Sequence, residues 1–182
     1  RTDISLNKNR DGFISLESFI NGRYDLYSYL YGLYLGDGCV YRQKKGVDAL
    51  TIALDSKYIE LVEEVRKSLE LFSGNKVRVY LRGNCYNLTI YGKHIKDIFI
   101  KYGKGKKHNN YVYLPNILLK NICYKSMAKG LFQSDGSYYY DKHNKKYFYS
   151  FTNMSKDIID IFTMCLDNLD ISYDLQYNSK NV

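Results

Sequence analysis

Leu30-Tyr31-Gly32-Leu33-Tyr34-Leu35-Gly36-Asp37-Gly38 decides the reading of this chain. It has a second copy in Met127-Ala128-Lys129-Gly130-Leu131-Phe132-Gln133-Ser134-Asp135-Gly136. Aligned on Gly32 and Gly130, both run Gly, Leu, aromatic, any residue, small, Asp, Gly, at an offset of 98 positions. One Asp-Gly pair is a turn signal and nothing more. An apolar segment that ends in Asp-Gly twice, in matched context, is a duplicated functional unit.

Leu26, Tyr29, Leu30, Leu33 and Tyr34 recur at helical spacing, which predicts a helix over 24–35 closed by Gly38 just past its last turn. Gly32 and Gly36 lie four apart on one face, as do Gly130 and Ser134 in the other copy. Small residues at this spacing let two helix backbones approach closely. Side by side, the helices bring Asp37 and Asp135 to adjacent C-terminal ends. Each end is itself partly negative, and the two carboxylates repel each other. A divalent cation removes that conflict, and hard oxygen ligands suit Mg²⁺. The metal set read from the motifs is Asp37 and Asp135 with the preceding Gly36 and Ser134. Carboxylates holding metal over a phosphodiester fit in-line phosphoryl hydrolysis.

Working outward, the first copy reads as strand 39–43, turn 44–46, strand 49–54, a helix from a Ser56 cap to residue 71, strand 76–82, a Gly83-Asn84 turn, strand 85–91 and helix 94–102. The order then restarts: helix 117–134 with a break before Tyr124, strand 137–140, turn 141–145, strand 146–153, a helix from Ser155 to residue 169 and a third strand over 171–177. The organisation is thus an extension over 1–23, a first subdomain over 24–102, a basic linker over 103–116 and a second subdomain over 117–182. The second copy reads as short, lacking counterparts of the last strand and helix, either by nature or as a fragment. The chain starts on Arg1 rather than Met, which reads as a trimmed start.

With 182 residues, 45% of them hydrophobic, the chain can bury a core, and its net charge of +8 favours an anionic partner. The 21 tyrosines read first as the mark of an AT-rich genome. Cys39, Cys85, Cys123 and Cys165 form no CxxC pair and read as reduced thiols in an intracellular protein rather than a zinc site. No apolar run of about 18 residues suggests a membrane span, and no signal peptide is read. Asn7 to Ile14 imitates a calcium loop. Ser18 stands where the bidentate Glu belongs, so this stretch reads as a surface turn.

The strands account for the charge. Lys76 to Arg82 alternates strictly, with Val77, Val79 and Leu81 on one side and Lys76, Arg78, Tyr80 and Arg82 on the other. A two-stranded ribbon fits the major groove of DNA, where Arg reads guanine and Asn or Gln reads adenine. The candidate contacts are Tyr41, Arg42, Gln43, Lys76, Arg78, Tyr80 and Arg82 in the first half. In the second they are Tyr138, Tyr140, Lys145, Tyr147, Tyr149, Asn153, Gln176 and Asn178. In the linker, Lys104, Lys106 and Lys107 offer a cation for the developing phosphoryl anion.

Taken together, the two Asp-Gly helices and the repeated helix-strand-strand order resemble the LAGLIDADG homing endonucleases in their two-motif, single-chain form. The resemblance implies an α+β fold, a duplicated αββαββα arrangement. Two antiparallel sheets would form a DNA-binding saddle about a pseudo-two-fold helix pair. It implies a monomer that cleaves both strands of a target of about 20 bp, with Mg²⁺, or Mn²⁺ in its place, held by Asp37 and Asp135. It implies a catalytic lysine in the joining segment, for which Lys107 or Lys106 is the nearest match. Family members commonly carry Gln or Lys near the end of the second strand. This chain has Leu54-Asp55 and Asn153-Met154 there. The alternative reading is a non-cleaving relative, either a maturase binding its own intron RNA or a DNA-binding regulator.

Overall fold

The computed structural model describes residues 16–44, 46–103 and 106–176. The calcium-like stretch, Lys104 and Asn178 lie outside them. The elements run α1 Leu16–Ile20, α2 Tyr24–Asp37, β1 Gly38–Arg42, β2 Asp48–Asp55, α3 Ile59–Ser73, β3 Arg78–Arg82, β4 Cys85–Gly92 and α4 Ile95–Ile98. A 3₁₀ turn at Lys107–Asn109 follows, then α5 Asn116–Asn121, α6 Tyr124–Asp135, β5 Gly136–Asp141, β6 Lys146–Phe151 and α7 Lys156–Asp167. The first sheet is antiparallel in the order β1-β2-β4-β3, and the second pairs β5 with β6.

Helix α2 runs through the middle of the core. Tyr27 through Leu35 are all buried, so this helix has no solvent face over two and a half turns. Its tyrosines are structural, not a compositional accident. Tyr27, Tyr31 and Tyr34 stack edge-on or face-on with Phe72, Phe99 and Tyr102. Buried hydroxyls need partners. Tyr27 Oη donates to the Ile98 carbonyl at 2.5 Å, Tyr34 Oη donates to the Ile100 carbonyl, and Tyr31 and Tyr102 share a bond of 2.7 Å.

These bonds explain a departure from the helix expected over 94–102. Only one turn forms, Ile95–Ile98. The Ile98 and Ile100 carbonyls are taken by tyrosines, and Phe99 and Tyr102 are drawn into the core. Ser56 does not cap α3. Its N–H bonds the Asn84 carbonyl instead, and the helix begins after Tyr58. Ser155 does cap α7, its Oγ accepting from the Ile158 N–H. Strand β3 is exposed along its whole length, Val79 and Leu81 included, because it is the edge strand beyond the helices that cover β1, β2 and β4. Residues 171–176 form no strand, so the second sheet has two strands among the described residues rather than the three expected.

The helices α2 and α6 pack as the glycine spacing predicts. A Cβ on Gly32 would lie 2.6 Å from the Met127 carbonyl oxygen, and one on Gly130 would lie 2.2 Å from that of Tyr29. A Cβ on Gly36 would strike the Ser134 hydroxyl at 2.0 Å. Backbone meets backbone at two of these points, so nothing larger than glycine fits without separating the helices. Tyr29 Oη also donates to Gln133 Oε1 at 2.7 Å, and the Cys123 N–H to Ser28 Oγ at 3.0 Å.

Candidate active site at the paired helix ends

Gly38 and Gly136 turn the chain sharply from helix into strand. Neither takes the left-handed conformation expected of a helix-closing glycine; both are extended, at φ −99° and −86°. Glycine is required for space instead. A Cβ at Gly38 would lie 2.6 Å from Tyr34 Cα, and one at Gly136 would lie 2.3 Å from the Phe132 carbonyl oxygen. This tight exit leaves Asp37 and Asp135 as the last residues of their helices, at the junction with β1 and β5.

The two carboxylates feel each other. A Cβ on Gly36 would stand 2.7 Å from Asp135 Oδ2, so the Asp135 carboxylate reaches across to the neighbouring helix end. Asp37 sits at the open rim, but protein packed behind it strips part of its hydration. That burial, and then the Asp135 charge, push Asp37 up to about 6 against the pull of Lys107. Burial also raises Asp135, opposed by the Asn153 amide and by Lys107. Asn153 Nδ2 donates to Asp135 Oδ2 at 2.9 Å, and its Oδ1 accepts from the Ser155 N–H at 2.7 Å. Asn153 thus holds the backbone of the α7 cap residue and also orients the carboxylate of α6.

Lys107 closes the other side. Its Nζ donates to the Tyr34 carbonyl and, at 2.7 Å, to the Gly38 carbonyl, and lies 4.7 Å from the Tyr34 ring centre. A cation there answers the partial negative charge of the α2 C-terminus. Burial lowers the Lys107 ammonium to about 8, although Asp37, Cys39 and Asp135 all favour its charged form. The loop that delivers it is held by Gly103, at φ +51°, where a Cβ would overlap the Asn110 side chain. Asn110 in turn donates to the Lys106 carbonyl at 2.9 Å. A cavity of about 340 Å³ opens here, walled by Tyr34, Gly36, Cys39, Lys106, Lys107 and Asn153 among others.

The structure therefore brings Asp37, Asp135, Lys107 and Asn153 together, with Gly36 and Ser134 behind them. The Ser134 hydroxyl is occupied within its own helix, donating to the Leu131 carbonyl at 2.8 Å. Lys106 is exposed at the cavity wall. Asp55 pairs with the Lys57 ammonium at 3.1 Å and is no member of this cluster. Among the described residues no group of three or more His, Cys, Asp or Glu converges as a metal cage. The donor set on offer is two carboxylates.

Register sorts the proposed DNA contacts. In the first sheet Cys39, Tyr41, Thr51, Thr89, Arg78, Tyr80 and Arg82 share one face, opposite the buried Val40, Leu50, Ile52 and Leu88. Thr51 Oγ1 and Thr89 Oγ1 bond at 2.6 Å across that face. Arg42 falls on the core side of β1, because neighbours in a strand alternate. Lys76 precedes β3 and is exposed, and Gln43 follows β1, half-buried.

In the second half the candidate tyrosines lie on the other face of their ribbon. Tyr138, Tyr140, Tyr147 and Tyr149 lie on the face of Phe151, which stacks on Phe162 of α7 at 4.1 Å. Tyr149 also meets Phe132 of α6. These tyrosines lie on the helix side of the ribbon, yet they stay 45–67% exposed. The face equivalent to Tyr41 carries Ser137, Tyr139, Phe148 and Ser150. Tyr139 and Phe148 are not among the candidate contacts, although the 98-position offset that matches Asp37 with Asp135 also matches Tyr41 with Tyr139. Lys145 sits exposed in the β5–β6 turn at φ +51°, and Gln176 is exposed outside any strand.

The LAGLIDADG-like domain family matches residues 26–102 and 124–182, one segment for each copy of the motif. No curated protein matches the chain significantly. Among solved structures, mesophilic variants of the homing endonuclease I-DmoI align at a TM-score of 0.57 and 20% identity, over 81% of this chain and 73% of that one. I-DmoI in complex with DNA and Mn aligns at 0.57 and 17%, over 86% and 84%. The N-terminal LAGLIDADG domain of DUF199/WhiA aligns at 0.51 and 13%, over 80% and 65%. The chain is a two-repeat member of the LAGLIDADG-like family, with the α+β fold of the LAGLIDADG homing endonucleases.

Proposed function

We propose that this protein is a divalent-metal-dependent DNA endonuclease that cuts both strands of a specific duplex target. The observation that carries the reading is the convergence of Asp37 and Asp135 at two negative helix ends beneath the Lys107 ammonium. An isolated pair of carboxylates at helix C-termini is destabilising. Burial holds both carboxyls above the usual carboxylate range, and the Asp135 charge pushes Asp37 further in the same direction. A cation relieves it, and two carboxylates with phosphate and water oxygens form a hard donor set that suits Mg²⁺ or Mn²⁺. When bound, the metal supplies Lewis acidity, activating water and stabilising the entering and leaving oxygens.

The protein's own residues do the rest. Asp37 and Asp135 hold the cation, and the Asn153 amide fixes the rotamer of Asp135. Lys107 spends two of its three donors on the Tyr34 and Gly38 carbonyls. That anchorage fixes its position and aims its charge at the phosphoryl group, whose transition state gains negative charge. The Tyr41, Arg78, Tyr80 and Arg82 face holds and reads DNA, aided by the net charge of +8. Glycine contacts keep the two helix ends, and so the two carboxylates, at fixed spacing.

A cleavage selection tests this. A plasmid library carrying randomised targets is incubated with the protein and Mg²⁺, and broken plasmids are sequenced. A discrete target cut on both strands by the parent, and by neither Asp37→Asn nor Asp135→Asn, is the expected result. Retention of bound target with no breaks in the parent contradicts the proposal.

A further inference from the structure

The two half-sheets do not offer DNA the same chemistry. The first presents guanidinium and hydroxyl groups from Arg78, Arg82, Tyr41 and Tyr80. The matching face of the second carries no guanidinium and presents an aromatic plate whose one polar atom is the Tyr139 hydroxyl. Tyr139 and Phe148 pair across β5 and β6, with ring centres 5.1 Å apart and planes within 11° of parallel. They are 60% and 42% exposed. The positions equivalent by strand pairing in the first half are Tyr41, half-buried, and Ala49, fully buried. The plate is thus not a repeat of something the fold requires.

Its position ties it to the proposed DNA surface. Ser137 and Ser150 are the next residues on this face toward the helix ends, joined through their hydroxyls at 2.8 Å. Tyr139 lies four residues beyond Asp135. At about 3.3 Å per residue that is roughly 13 Å, or about four base-pair steps. The plate is continuous with the serine pair and the carboxylates, and lies opposite the face that packs on α6 and α7. A two-stranded ribbon is of the right size to enter the major groove. The apolar feature a base pair presents there is the C5 methyl group of thymine.

We infer that Tyr139 and Phe148 form a specificity site for thymine methyl groups, about four base pairs from the cut, so that this half of the target is read by apolar contact. The inference rests on the DNA reading above. Each methyl buried against the rings strengthens binding about three- to fivefold. Tyrosine and phenylalanine have no donor or acceptor on the ring face, so the site accepts thymine on either strand.

The test uses the duplex selected by the full chain from a randomised library, with binding measured without added metal. Thymines in one half, then in the other, are replaced by uracil, which removes only the methyl. Uracil in one half weakens parent binding about three- to fivefold per contacted methyl. The double variant Tyr139→Ser/Phe148→Ser loses that penalty in that half alone. The variant Tyr138→Ser/Tyr147→Ser, altered on the opposite face, keeps it. Restoring the methyl as 5-methylcytosine in a C·G-substituted duplex recovers part of the affinity. A parent indifferent to uracil in both halves, or a double variant retaining the full penalty, overturns the inference while leaving the DNA reading intact. A parent that selects no duplex overturns both.

Discussion

Lys107 and Asp37 meet at one helix end from opposite directions: Asp37 is the last residue of α2, and the Lys107 ammonium caps the Tyr34 carbonyl of that helix's final turn. The lysine arrives from the segment joining the two repeats, so the linker is part of the site and not a tether. This relationship gives a first prediction. Lys107→Met removes a half-buried, positioned cation and slows single-turnover cleavage about 10²–10³-fold. Equilibrium binding of the target changes little, because the lysine is one cation among many.

The pH profile follows from the same pair. In the proposed mechanism cleavage needs Asp37 ionised to hold metal and Lys107 protonated to stabilise charge. Asp37 titrates near 6 and Lys107 near 8 in the free protein. The rate therefore rises through about pH 6 and falls above about pH 8. More Mg²⁺ moves the acid limb lower, since the cation competes with the proton. Lys107→Met abolishes the alkaline limb and leaves the acid limb in place. Single-turnover rates across pH 5 to 10 check both statements.

Stability carries an opposite sign from that of a paired carboxylate. Asp37 is raised from 3.8 to about 6 on folding, so between those values the folded state binds more protons. Stability contributed by Asp37 falls as pH rises through that window, and the penalty persists above it. Asp37→Asn thus stabilises the metal-free protein at pH 7 by about 1 kcal/mol after allowance for solvent screening. Below pH 4 the gain vanishes. Thermal melts at both pH values, without metal, provide the check.

Gly130→Ala tests the helix spacing. Its Cβ would lie 2.2 Å from the Tyr29 carbonyl oxygen, a backbone atom that no rotamer change can move. Forcing α2 and α6 apart costs about 1–3 kcal/mol and displaces Asp37 from Asp135. Both Tm and cleavage fall. Gly74→Ala is the control. It sits in open space at φ +68°, so it costs about 1–2 kcal/mol of backbone strain and leaves cleavage unchanged.

Asn153→Ala separates the two halves. It removes the 2.9 Å bond that orients Asp135, and the first half has Leu54 at the equivalent position in the strand pairing. Cutting of one DNA strand slows more than cutting of the other, so nicked product accumulates. Strand-resolved gels read this directly.

Much of this arrangement is legible in the sequence because it is repeated. Gly32, Gly130, Asp37 and Asp135 stand in register at one offset, and that alone specifies a helix pair with acids at its end. Helix and strand order follows from periodicity. What escaped depends on contacts that no local pattern encodes. The 94–102 helix is cut short by tyrosines from a distant helix. The glycines that end α2 and α6 answer a clash with their own helix rather than a need for positive φ. Which side of β5–β6 lies toward the helices depends on register. Alternation marks two faces without saying which one meets the helices, and tyrosines on both faces blur it further.

In the proposed mechanism Asp37 and Asp135 form one metal-dependent centre. The most direct measurement is single-turnover cleavage of the selected target in saturating Mg²⁺ by the parent, Asp37→Asn and Asp135→Asn, alongside binding of the same duplex. The prediction is a loss of at least about 10³-fold in cleavage for each variant, with binding retained. Cleavage at the parent's rate by either variant would contradict it.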